Sequence, residues 1–322
     1  MAKVLGMGNA LVDALVRIDN DNILQTLNLP KGSMQLVDWE TSEKVMKAVE
    51  AFPRSQASGG SAANTIHGLA KLGIETGFLG KIGKDEIGQF FKNDLLEAKV
   101  NPLLAESDSR SGLALALVSP DSERTFATFL GAAVELSAAD LKLEDFQGYD
   151  YFHIEGYLVQ NYELIETAVK LAKQANCKVS IDLASYNVVE ANLDFLQRIT
   201  KEYVDIVFAN EEEAKSFTGK EPEEALHAIA EMVDYAIVKI GSKGSMVKHQ
   251  GKVYTAGVIK ATSIDTTGAG DLYASGFLFG LIKGYSLDRC AAIGSITAGN
   301  IIEVIGAKMD KDRWNGIYEA IG

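Results

Sequence analysis

Two short stretches carry the residue types that chemistry needs. Asp265-Thr266-Thr267-Gly268-Ala269-Gly270-Asp271 sets two glycines and a carboxylate at the start of an apolar segment running to about Lys283. Glycines at such a junction let backbone N–H groups converge without Cβ obstruction. Those N–H groups lack intrahelical partners and carry the positive end of the helix dipole, which makes an anion cradle. Asp271 in the first turn either caps the helix by its charge or, beside a bound anion, takes a proton from a nucleophile. Ser58-Gly59-Gly60-Ser61-Ala62-Ala63-Asn64 opens a second helix, and its glycine pair permits close backbone approach to a polyhydroxylated ligand. Asp13 stands just past the end of an apolar strand, where ligands of open α/β sheets bind. A carboxylate and an amide there suit vicinal hydroxyls. Each has a plainer reading: Asp13 in a solvated turn, Asn64 in an ordinary first helical turn.

The elements that must position these residues follow from pattern. Lys3–Gly8 reads as a buried parallel strand, and 13–19 and 33–38 as shorter, more exposed strands. Helices are expected over 41–52, capped by Thr41 or Ser42, and over 61–72, ended by Gly73. A strand at 76–81 and a helix at 86–98 follow. Residues 112–118 and 124–130 form a hairpin around Ser119–Glu123, with both faces apolar. After residue 148 strands (149–155, 178–182, 204–209, 235–240) alternate with helices (163–175, 193–202, and 211–232 broken at Gly219 and Pro222). That alternation implies a parallel sheet covered by helices. An antiparallel hairpin, 245–249 and 252–256 around Gln250-Gly251, lies at its edge. Helices 269–283, 287–305 and 312–321 close the chain. The expectation is one α/β domain over 1–322 with a small inserted sheet.

Composition narrows the function. The chain has 322 residues, 47% hydrophobic and 23% charged, with net charge −13. That balance argues against a nucleic acid or an anionic membrane as partner, since both need a basic face. Cys177 and Cys290 have no metal-ligand spacing and read as buried thiols of a reducing, cytoplasmic compartment. The N-terminus lacks a signal-peptide run, and no stretch is long and apolar enough to span a bilayer. Gly6-Met7-Gly8 lacks the third glycine of a dinucleotide fingerprint, and Asp85 stands where a phosphate loop needs Ser or Thr. The four histidines form no metal pair.

The pair Gly59–Asn64 and Asp265–Asp271 resembles the twin signatures of the PfkB carbohydrate kinases, the ribokinase-like family. The resemblance extends through Asn210-Glu211-Glu212-Glu213 and Lys239-Ile240-Gly241-Ser242-Lys243-Gly244 over essentially the whole chain. Gly8–Asp13, Leu130–Glu135, Glu155–Leu158 and Phe208–Asn210 look most like the adenosine kinase-like branch. The resemblance implies a three-layer α/β/α core with a mostly parallel sheet, a β-sheet lid from about 13–38 and 110–131, and ATP with Mg²⁺. It implies Asp271 as general base, with the N–H groups of Gly268, Ala269 and Gly270 as anion hole. Asp13, Asn64 and the Gly59-Gly60 backbone hold substrate hydroxyls. Asn210, Ser242, Lys243 and Gly244 line the nucleotide side. Glu213 helps place Mg²⁺ through water, although an acidic run at a helix start suits the dipole alone. Asp265 and Thr267 hold a monovalent cation such as K⁺.

The expected lid residues are apolar: Leu11, Leu15, Leu36, Leu115, Phe126 and Phe129. Without the basic cluster that a phosphosugar requires, they favour a nucleobase. The acceptor expected first is the hydroxymethyl oxygen of a nucleoside such as adenosine. The alternatives are ribose, fructose or a 2-keto-3-deoxy sugar acid, or nucleotide binding without catalysis. The chain is expected as a monomer or as a homodimer through the lid. Arg124, near the hairpin turn, reads as a solvated turn arginine or as a group that swings onto the transferring phosphate.

Overall fold

Residues 2–121 and 123–322 are described by a computed structural model. Ser122, inside the predicted hairpin turn, lies outside them, as does Met1. The strands in chain order are β1 Val4–Met7, β2 Leu11–Arg17, β3 Met34–Leu36, β4 Arg54–Gly59, β5 Thr76–Gly83, β6 Val100–Ser107, β7 Gly112–Val118, β8 Arg124–Phe129, β9 Tyr151–Glu155, β10 Lys178–Asp182, β11 Ile206–Asn210, β12 Tyr235–Lys239, β13 Ser245–His249 and β14 Lys252–Ala256. They form two sheets. The larger runs β14-β13-β12-β11-β10-β9-β1-β5-β6, and the smaller β3-β8-β7-β2-β4. In the larger sheet the strands from β6 across to β12 are parallel neighbours, and the β13–β14 hairpin adds antiparallel pairings, β13 alone running opposite to the rest.

β1 explains the centre. Its four residues are all buried, as a strand covered on both faces requires. It pairs with β9 on one side and β5 on the other. The strand order therefore reverses at β1, and in such sheets the ligand crevice opens at the carboxyl ends beside the reversal. Helices cover both faces, giving two apolar cores, one around Phe78, Phe208 and Phe277 and one around Phe146, Phe152 and Phe217.

The helix Ala269–Ile282 is apolar all round because it is enclosed. It packs so closely on the helix Leu287–Ile301 that a Cβ on Gly276 would stand 2.5 Å from Thr297 Oγ1. That second helix stops at Ile301 rather than at 305. The Ile302 carbonyl accepts from the N–H groups of both Ile264 and Asp265, so the chain turns there toward the anion-cradle loop. The helix Trp39–Ala48 is capped by Asp38, whose carboxylate accepts from Thr41 N–H, and not by Thr41 or Ser42.

One expectation changes at the smaller sheet. It includes β4, which showed no strand pattern. Asp13, expected as the start of the 13–19 strand, lies within β2, paired with Ala57 and Ala114, and its plainer reading in a solvated turn falls away. β7 is buried along its whole length, covered on both faces. Among the described residues no helix is long and apolar enough to cross a membrane.

Candidate active site

Successive strand ends each carry one polar group. Asn9 follows β1, Glu155 ends β9, Asp182 ends β10, Asn210 ends β11 and Lys239 ends β12. A cavity of about 1070 Å³ opens there. Asp182, Asn210 and Lys239 reach its wall, while Asn9 and Glu155 are buried behind it. Asp13, Gly60, Ser61, Asn64, Phe126 and Tyr157 wall one end. Asn210, Glu213, Ser242, Gly244, Val258 and Ile259 wall the other. Thr266 through Asp271 lie between. The two motifs thus meet, with Asp271 at the join.

Asp271 is held by the other motif. Ser61 Oγ donates to its Oδ1 at 2.7 Å and Asn64 Nδ2 to its Oδ2 at 3.0 Å. Thr65 Oγ1 donates to its backbone carbonyl at 3.1 Å. Burial raises the carboxyl to about 6, against the pull of the Ser61 and Asn64 hydrogen bonds. Asn64 Oδ1 is buried and has no partner among the described residues, so it is left to accept from a ligand hydroxyl. Ser61 belongs to the motif but carried no predicted role.

Gly268 is the N-cap of the Ala269–Ile282 helix, at φ 76°, a conformation that L side chains rarely adopt. A Cβ there would also meet Ala307 at 2.9 Å. Of the three predicted anion-hole donors, Ala269 N–H is already given to Thr266 O at 3.2 Å. The N–H groups of Gly268 and Gly270 have no partner among the described residues, and neither has that of Asp271. Gly268 and Gly270 of the predicted set therefore remain available, and Asp271 N–H takes the place of Ala269.

Asp13 is half-buried, and burial raises its carboxyl to about 6, opposed by the charge of Lys308. Gly59 does not line the cavity. A Cβ on it would stand 2.3 Å from the Asp13 carboxylate, so this glycine makes room for Asp13 rather than for the ligand. Glu155, buried, holds the two sides together. Its Oε1 accepts from Asn9 N–H and Asn9 Nδ2, and its Oε2 from Ala62 N–H. It appeared only within a stretch of family resemblance, without a role.

On the nucleotide side Asn210 and Glu213 form a reciprocal cap. Asn210 Oδ1 accepts from Glu213 N–H, and the Glu213 carboxylate accepts from Asn210 N–H and Nδ2. The dipole reading of Glu213 and the site reading hold together, since it also lines the cavity. Burial, then the Asp182 charge, raises Glu213 to about 7. Lys239 Nζ donates to Asp182 Oδ2 at 2.9 Å, both side chains largely buried, and stands 3.0 Å from where a Cβ on Gly270 would be. Neither member of this pair was singled out from sequence, because one buried charge leaves no periodic trace. Gly244, at φ 100°, lets the loop turn against Ala256 O. Lys243 is exposed and off the cavity wall.

Arg124 is not a solvated turn arginine. Its guanidinium makes a two-pronged pair with the buried Asp265 carboxylate. The predicted apolar lid shrinks: only Phe126 of the six reaches the cavity, Leu115 is in the core, and Leu36 is 63% exposed. The four histidines are structural. His153 bonds Ser180, His227 meets Lys248, His249 stacks on Tyr235, and buried His67 is held neutral by desolvation. Both cysteines are free and buried.

Lys308 adds an electrostatic control. Its Nζ is buried without a hydrogen-bond partner among the described residues. Burial lowers it to about 8, against the attraction of Asp94, Asp13 and Asp271. A base that must be ionised works above its pKa. The rate kcat/KM is therefore expected to fall as pH drops through about 6, where the Asp13–Asp271 pair titrates. Lys308→Met removes a charge that favours both carboxylates and shifts that acidic limb to higher pH, which a pH–rate profile reads directly. An unmoved limb would leave Lys308 with a purely structural role.

This arrangement is that of a phosphotransferase acting on an alcohol. The pfkB family carbohydrate kinase model matches residues 33–313, and the chain belongs to that family. Its fold is ribokinase-like and it uses ATP. A probable sugar kinase from Rhizobium etli CFN 42 superposes with TM-score 0.88 at 32% identity, covering 99% of this chain and 98% of that one. The adenosine kinase from Sinorhizobium meliloti superposes with TM-score 0.87 at 31% identity, covering 99% of both. A 5-dehydro-2-deoxygluconokinase of Shouchella clausii is 30% identical over 273 residues, 76% of this chain and 80% of that protein. Kinases of nucleosides and of sugars are thus both among the similar proteins.

Proposed function

We propose that this kinase transfers the γ-phosphate of ATP to the hydroxymethyl oxygen of a nucleoside, adenosine first. One observation carries the reading: Asp271, gripped by Ser61 and Asn64, shares one cavity with the free N–H groups of Gly268 and Gly270. The acceptor hydroxyl gives its proton to the Asp271 carboxylate as its oxygen bonds to the γ-phosphorus. The bond from that phosphorus to the bridging oxygen breaks, and ADP leaves with the electron pair. The free N–H groups meet the charge on the transferring phosphoryl group, where electrostatic help counts most. Asp13 and Asn64 Oδ1 hold the sugar hydroxyls. Phe126 and Tyr157 supply apolar surface for the base. Arg124 is committed to Asp265 and Lys243 is off the wall, so the acceptor end offers no basic cluster for a phosphosugar.

Mg²⁺ fits the nucleotide end. Among the described residues no three His, Cys, Asp or Glu side chains are grouped to hold a metal directly. Glu213, with Glu211 and Glu212 on the same wall, suits an ion carried mainly by phosphate oxygens and water. Bound there it would neutralise charge on the β- and γ-phosphates.

A sugar or sugar-acid acceptor is the second reading, favoured by the retreat of five apolar lid residues from the cavity. ADP release is measured over nucleosides, pentoses, hexoses and keto-deoxy acids. Adenosine is expected to give the highest kcat/KM. Ribose, fructose or a keto-deoxy acid ahead of it by about tenfold or more (about 1.4 kcal/mol) overturns the nucleoside assignment. ATP binding without ADP release for any acceptor would mark a non-catalytic binding protein.

A further inference from the structure

We propose that Arg124 is the built-in counterion of Asp265, standing where the family resemblance puts a monovalent cation, and that this kinase binds nucleotide without one. The Asp265 side chain is 1% exposed. Its Oδ1 accepts from Thr267 N–H at 2.7 Å and from Arg124 Nη2; its Oδ2 accepts from Gly306 N–H at 2.7 Å and from Arg124 Nη1. A carboxylate offers about four lone-pair directions, and all four are taken. The planar guanidinium matches them as a fork, a geometry that no spherical ion reproduces. Phe126 lies under the guanidinium at 5.4 Å and fixes it further.

Charge leads to the same conclusion. Asp265 and Arg124 sum to zero around a carboxylate that is itself buried, and a further cation bound to Asp265 would leave one uncompensated positive charge there. To bind at all, a potassium ion would have to displace Arg124 from both oxygens. Thr267, the other predicted ligand, has turned its N–H toward the same carboxylate. The donors on Asp265 therefore come from β8, from its own loop and from the 302–308 turn.

The inference rests on the nucleotide-binding reading of the cavity, and its test needs no acceptor. Thermal unfolding and calorimetry of AMP-PNP with Mg²⁺ are run in KCl, NaCl and tetramethylammonium chloride at equal ionic strength. Wild type is expected to bind the analogue within about twofold in all three salts, with one common Tm. Arg124→Ala exposes a bare buried carboxylate and is expected to regain Tm and analogue affinity in KCl but not in tetramethylammonium chloride. Arg124→Lys, which keeps the charge, should remain indifferent to salt. Wild-type affinity rising about tenfold or more with potassium overturns the proposal, as does an Arg124→Ala protein blind to potassium. An analogue that binds in no salt would speak against the nucleotide reading instead.

Discussion

Asp271→Asn is expected to lower kcat by about 10²–10⁴-fold, the share that a positioned general base supplies. That is about 2.7–5.4 kcal/mol of transition-state stabilisation. AMP-PNP affinity and Tm should change little. The substitution keeps the shape, and Ser61 can still donate to the remaining oxygen. Asn64, whose Oδ1 is unpartnered, can present that atom to the new amide. The distinguishing sign is in the pH profile: the acidic limb near 6, set by the Asp13–Asp271 pair, should lose the Asp271 contribution and flatten to what Asp13 alone leaves, whatever turnover remains. Near-normal turnover would remove Asp271 from the role of base, and loss of analogue binding in step with turnover would make it a structural cap.

Lys239→Met is expected to cost about 3–5 kcal/mol of stability, because it strands Asp182 as an unpaired buried charge. Glu213 suffers as well, since Lys239 is the charge that offsets Asp182 beside it. Lys239 itself is held protonated, the attraction of Asp182 and Glu213 outweighing the effect of burial. The double variant Lys239→Met/Asp182→Asn leaves neither charge, and the amide oxygen introduced at position 182 can still accept from Ala184 N–H as the carboxylate does. It should recover most of the lost stability but little of the ADP-release rate, because the ammonium beside Gly270 is gone. Denaturant midpoints for both proteins decide the point. A Lys239→Met protein as stable as wild type would show the pair to be energetically idle.

The parts of the fold that could be read in advance are those where pattern and burial coincide. β7, β10 and the β13–β14 hairpin follow their apolar runs and the Gln250-Gly251 turn. β4 and β6 escaped notice because both are edge strands. Arg54–Gly59 is mostly polar, and β6 carries Pro102, which an edge tolerates. Backbone pairing to β2 and β5 makes them strands, and side-chain periodicity does not record that. The site divides in the same way. Asp271, Asn64 and Gly268 announce themselves within local motifs. Asp182, Lys239, Glu155 and Lys308 acquire their meaning only when distant strand ends and loops converge. Arg124 was visible as a candidate, but its partner lies 141 residues away, and no local signal names Asp265.

The two sheets are joined at four places: after Met7, at Gly59–Ser61, after Ser107 and after Phe129. Each passage holds a glycine pressed on a neighbouring passage. A Cβ on Gly8 would meet that of Ala62 at 2.9 Å, one on Gly60 would meet Asn9 O at 2.3 Å, one on Gly112 would meet Leu130 O at 2.7 Å and Ala10 O at 3.3 Å, and one on Gly131 would meet Arg110 O at 2.3 Å. The four passages therefore pack against one another as one seam between the two sheets, with no room for a side chain at any of these glycines. Asp13 and Arg124 both stand on the smaller sheet, so the seam that places one in the cavity wall also places the counterion of Asp265.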